Sequence, residues 1–121
     1  SAGQMVCHLG DGFRMAMGRT PVRTSVRLLE RTIVKWIALW VPVPWPHGLR
    51  TAPEIDQALG GTPPDDFAAD TARLEALVEE FTAPARGFTW PEHPRLGRLS
   101  DRDWMRWGWR HMDHHLRQFG A

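Results

Sequence analysis

Ten prolines in 121 residues, and above all the run Val41-Pro42-Val43-Pro44-Trp45-Pro46, limit what this chain can fold into. Proline has no amide proton, breaks a helix interior, and pushes the residue before it toward extended backbone. Between the prolines, apolar residues recur three and four apart, the period of a helix with one buried face. The chain therefore reads as all-α: helices joined by long proline-rich loops.

Ser1 and Gln4 form a capping box, so the first helix starts almost at residue 1 and ends at Gly18 before Pro21, with Met5, Leu9, Phe13, Ala16 and Met17 as its apolar stripe. Gly10 and Gly12 each cost it about 1 kcal/mol relative to alanine, which fits only if another helix packs closely there. Residues 22–41 carry a second helical pattern, with Val26, Leu29, Ile33, Trp36, Ile37 and Trp40 on the buried side. Arg23, Arg27, Arg31 and Lys35 form a cationic stripe on the other, most simply a solvated face. The proline strap then runs through His47-Gly48 to Pro53, and a short turn over Glu54 to Leu59 ends at Gly60-Gly61. Pro63-Pro64-Asp65-Asp66 opens a third helix, its acids at the positive end of the helix dipole, and Phe67, Leu74, Leu77, Val78 and Phe81 supply its buried face up to Pro84. An irregular loop from Ala85 to Leu99 is packed by Phe88, Trp90 and Leu96. The last helix opens at Ser100, with Asp101 and Asp103 in its first turn, and Gly120 closes it.

That last helix reads as having two buried faces. Met105, Trp109, Met112, Leu116 and Phe119 make a greasy stripe; Trp104, Trp107, His111 and His115 make a second. Residues four apart on a helix lie one above the other, so His111 and His115 aim two imidazoles at one point, with His114 as a competing partner. His8, in the first helix, can come opposite them if the helices pack as a bundle. Three histidines leave a first-row metal with open positions. Asp11 and Asp113 are candidates to take the second ring proton of a ligating histidine, and Trp104 and Trp107 to shape a pocket beside it.

Other chemistry has less support. The net charge of +1 gives no reason to expect nucleic acid. The most hydrophobic stretch, Ile33 to Val43, is interrupted by Lys35 and is far shorter than the ~20 residues that cross a bilayer. Cys7, the single cysteine, excludes an intramolecular disulfide and reads as a small buried residue. With no basic stretch followed by an apolar block at the N-terminus, a cytoplasmic protein is expected. His47 and His93 sit beside prolines in loops, where they could line a pocket mouth, although solvation or local packing is the simpler account of them. No nucleophile elbow and no phosphate-binding glycine loop is present.

An early-helix histidine, in Gln4-Met5-Val6-Cys7-His8-Leu9, combined with a late His-x-x-x-His helix resembles the DinB-like superfamily of metal-binding four-helix bundles. The resemblance is greater to an uncharacterised branch. It has Trp-Pro-x-His-Pro-x-x-Gly before the last helix, here Trp90 to Gly97, and a helix ending His-x-x-His-His-Leu-x-Gln-Phe-Gly, here His111 to Gly120. The resemblance implies a single DinB-like domain over residues 1–121 and a divalent transition metal, zinc or nickel, on His8, His111 and His115. His114 is carried over only as a neighbour of the site or alternative ligand. It also implies a metal-dependent activity of the thiol S-transferase or hydrolase kind on a low-molecular-weight thiol or other small molecule. Relatives carry another helix upstream of the first histidine; its loss here would leave a face for a homodimer partner to cover. The alternative is a non-catalytic metal-binding or interaction bundle, and a DNA-binding protein is the weakest reading.

Overall fold

Ser1 caps the first helix as expected: its hydroxyl accepts the amide of Gln4, and the Gln4 side chain reaches back to the N-cap, so α1 runs Ala2–Ala16. In this computed structural model, which describes residues 1–49 and 51–120, a π-helical turn over Glu30–Val34 leads into α2, Lys35–Trp40. A 3-10 turn, Pro53–Ile55, follows the strap, and then come α3, Phe67–Thr82, and α4, Asp101–Gln118. Among the described residues the secondary structure is helical, with four α-helices and no strand. A single antiparallel bridge, His93 to Gly97, pins the 85–99 loop. Among the described residues no helix is long and apolar enough to cross a membrane.

The long helices α1, α3 and α4 surround the core, and α2 lies against α4. Asp66 caps α3 by accepting the Ala69 amide, and Ser100 and Asp103 form a reciprocal capping box on α4. Gly10 and Gly12 of α1 sit where another helix comes close, as their cost required. A Cβ on Gly10 would lie 3.6 Å from Leu77 of α3, and one on Gly12 would lie 2.6 Å from the His111 ring of α4. Leu9, Phe13, Leu77, Phe81, Trp104 and Trp107 fill the centre. Phe13 and Phe81 meet edge to face at 4.9 Å and Trp90 stacks on Trp104 at 5.3 Å, arrangements that aromatic quadrupoles favour.

The second helix departs from expectation. Residues 21–27 are not helical, and the Ser25 amide donates to the Pro94 carbonyl at 3.1 Å, so Arg23 and Arg27 belong to no helical stripe. The wide π turn then breaks the phase of a 3.6-residue repeat. Leu39 becomes the buried residue of α2, while Leu29, Ile33, Trp36 and Ile37, expected inside, are exposed together with Leu28 and Val34. Phe67 is likewise exposed. On α4 the buried face is Trp104, Trp107, Gly108, Arg110 and His111, and Trp109 and Phe119, expected in the core, point outward. Gly108 explains this choice of face. A Cβ there would come within 2.8 Å of Phe81, so α4 presents its smallest residue to α3 and rotates Trp109 away.

Candidate metal centre

His8 lies near the middle of α1, and His111 and His115 lie one turn apart on α4. Packing of α1 on α4 brings the three rings together, with one nitrogen from each within 4.8 Å of the others, so the group could hold a metal ion. Gly12, one turn after His8, permits this approach: with no side chain it leaves the space that the His111 ring fills. Trp107 stacks on that ring at 4.8 Å and restricts its plane.

A main-chain hydrogen bond orients the first ring: His8 Nδ1 lies 3.0 Å from the Ile55 carbonyl, which can only accept, so Nδ1 carries a proton and Nε2 is turned toward the other two rings. Gln118 bridges His115 and His114 near the end of α4, its Oε1 3.1 Å from His115 Nδ1 and its Nε2 3.3 Å from His114 Nε2. His8 Nε2 and His115 Nε2 face each other at 3.1 Å. Burial pushes the His115 imidazole down to about 4, with His8 adding to the shift. Burial, aided by the neighbouring His115 and His8 rings, holds His111 well below the ordinary imidazole range. His111 Nδ1 is buried with no hydrogen-bond partner. Three converging ring nitrogens, with two of the imidazoles held toward the neutral form, are an arrangement that suits a cation, because neutral imidazole is the form that ligates.

The remaining candidates have other partners. Asp11 does not serve the histidines. It accepts from Thr62 N and Oγ1, Gln57 Nε2 and Arg14 Nη1, tying α1 to the loop before α3. Asp113 pairs with Arg117 at 2.8 Å. The partners of the ring protons are instead the Ile55 carbonyl and Gln118. His114 stays outside the cluster, beside Trp45 at 5.8 Å and His47 at 5.9 Å. Trp107 lines the cavity next to the histidines, whereas Trp104 is wholly buried in the core, its indole N–H without a partner. His93 is not solvated: it is 9% exposed, its Nδ1 accepts the amides of Arg95 and Leu96, and burial pushes it down to about 3. Cys7 is buried, which raises its thiol pKa, and it plays no part in the cluster. Two residues of the site were readable in retrospect: Gly12 follows His8 by one turn, and Gln118 follows His114 by one turn.

A cavity of about 460 Å³ opens beside the cluster, between the proline strap, α2 and α4. His8, His111 and His115 all line it, with Ile37, Val43, Trp45, Leu96 and Trp107 supplying apolar wall. Any open position on a bound metal would thus face a sheltered, small-molecule-sized space.

The family described as "Protein of unknown function (DUF1569)" matches the chain over residues 1–121. No curated protein and no solved structure matches it.

Proposed function

This chain belongs to the DUF1569 family of proteins of unknown function, and we propose that it is a DinB-like, metal-dependent enzyme acting on a small molecule, of the thiol S-transferase or hydrolase kind. The observation that carries this reading is the convergence of one nitrogen each from His8, His111 and His115 to within 4.8 Å of one another, with His111 Nδ1 buried and, among the described residues, without a hydrogen-bond partner. His8, His111 and His115 would hold the ion, zinc or nickel, through neutral imidazoles. A divalent ion on three histidines supplies a Lewis acid that lowers the pKa of a thiol or water at its open position. The chain's own contribution is positional. The Ile55 carbonyl and Gln118 orient two rings and raise their basicity, Gly12 and Trp107 fix the third, and the apolar cavity wall limits water around the reacting group.

The test is reconstitution. Chelator-stripped protein given zinc or nickel should take up one ion per chain, and His8→Ala, His111→Ala and His115→Ala should each lose it, while His114→Ala keeps it. The loaded protein is then screened for transfer of low-molecular-weight thiols to electrophiles and for ester or amide hydrolysis. Uptake unaffected by all three alanine variants would sink the assignment. Metal uptake without turnover would favour a second reading, a non-catalytic bundle that pairs with another copy or a partner. The exposed face of Leu28, Leu29, Ile33 and Trp36, with Leu28 78% and Trp36 61% exposed, supports that reading.

A further inference from the structure

The cavity beside the histidines contains a buried charge that the metal reading does not use. Arg110 lines the cavity and is only 7% exposed. Among the described residues it takes part in no ion pair. Its Nε donates to the Ala38 carbonyl at 3.1 Å and its Nη2 to the Val43 carbonyl, which braces the end of α2 and the strap against α4. Carbonyls satisfy N–H groups but leave the unit charge uncompensated, and a buried charge without a counter-ion is costly. Asp113, three residues on, is engaged with Arg117. Among the described residues Glu30 is the one acid on the cavity wall, and one of its carboxylate oxygens accepts the Arg27 amide at 2.9 Å. Burial, with Arg106 adding and Asp113 only partly opposing, holds Arg110 below the ordinary guanidinium range.

The surroundings of this charge are apolar and aromatic. The guanidinium lies 5.6 Å from the Trp45 ring, and Ile37, Ala38, Val43 and Trp107 share its wall. On α4, Arg110 and His114 occupy one stripe and His111 and His115 the adjacent one, so the cation and the three-histidine cluster open on the same space.

We propose that this cavity binds a small organic anion with an apolar body, its anionic end held by Arg110 and its other end presented to His8, His111 and His115. The chemistry selects the class. A guanidinium edge matches a carboxylate in shape and charge. The apolar walls disfavour a strongly hydrated polyanion, and a cationic ligand would meet like charge from Arg110. The inference gives the substrate class for the site proposed above and rests on that reading only for what the far end of the ligand meets.

The probes are 4-phenylbutanoate and its uncharged match, 4-phenylbutanamide, titrated calorimetrically at pH 8 into zinc-loaded and metal-free protein. The metal-free arm removes zinc as a rival anchor for the carboxylate. The acid should bind at least 10-fold tighter than the amide in both forms. That preference should persist in Arg110→Lys and fall below 3-fold in Arg110→Gln. Equal binding of acid and amide by the wild type, binding of neither, or a preference unchanged in Arg110→Gln would overturn the proposal. Should Arg110→Gln lose its helical circular dichroism, the wild-type ratio and Arg110→Lys decide the matter. Wild-type protein that takes up no zinc yet prefers the acid would refute the metal reading and leave Arg110 as the anion anchor.

Discussion

Replacing Gly12 with alanine separates the stability of the fold from the integrity of the histidine cluster. A Cβ at this position lies 2.6 Å from His111 Cε1 and 3.2 Å from its Nδ1. Carbon atoms make ordinary contact at about 3.5 Å, so the ring must retreat by roughly 0.9 Å. Retreat is opposed by Trp107, stacked on the same ring at 4.8 Å. Metal–ligand distances hold to about 0.2 Å, so a displacement several times larger removes His111 from the ligand set. Changes confined to partners of ligating residues already cost about 10-fold to 100-fold in metal affinity; loss of a ligand should cost at least the upper figure. Metal-free stability moves far less. Alanine gains about 1 kcal/mol of helix propensity over glycine, against about 1–3 kcal/mol for overpacking, a net loss of roughly 0–2 kcal/mol. The assay is zinc competition against a chelating dye, paired with urea melts of the metal-free protein. Zinc affinity within threefold of wild type would refute the claim that Gly12 clears the space for a ligating His111.

Two further predictions follow from the same structure. His93 has an ordinary pKa of 6.5 and is pushed down to about 3 in the fold, so the unfolded chain takes up its proton first: His93's contribution is complete above about pH 6.5 and is lost as pH falls toward 3. Between pH 7.5 and 5.5 the metal-free protein should lose at least about 1.3 kcal/mol from this residue, more with His115 included; equal urea stability at the two pH values would contradict the neutral buried imidazole. Asp11→Ala should destabilise the fold by about 1–3 kcal/mol, because Thr62, Gln57 and Arg14 all lose the buried carboxylate that they bond, while zinc stoichiometry stays at one ion per chain; loss of zinc with stability intact would return Asp11 to the metal site.

Much of this structure is written locally in the chain. Ser1 with Gln4, and Ser100 with Asp103, announce the starts of α1 and α4 because a capping box is completed within four residues. The prolines mark the strap for the same reason. The orientation of a helix is not local. Apolar residues occur on more than one side of α4, and only the approach of Phe81 to Gly108 decides that Trp107 goes inside and Trp109 outside. The second helix is shorter than its apolar pattern over residues 22–41 implies, because residues 22–27 are not helical, and a π turn over Glu30–Val34, which nothing marks in sequence, changes the period of the rest. The histidines were legible through their four-residue spacing. Their hydrogen-bond partners were not, because a main-chain carbonyl such as that of Ile55 has no sequence signature. Arg110 was missed because arginine is ordinarily a surface residue, and its burial follows from carbonyls on α2 and the strap brought to it by the fold.

The central claim, that His8, His111 and His115 are one metal site, is tested most directly by X-ray absorption at the zinc edge of the reconstituted protein. The account predicts three imidazole nitrogens at about 2.0–2.1 Å, one further light atom from water or ligand, and no sulfur, with the imidazole count falling in His8→Ala. A sulfur scatterer from Cys7, or an imidazole count unchanged when His8 is removed, would contradict it.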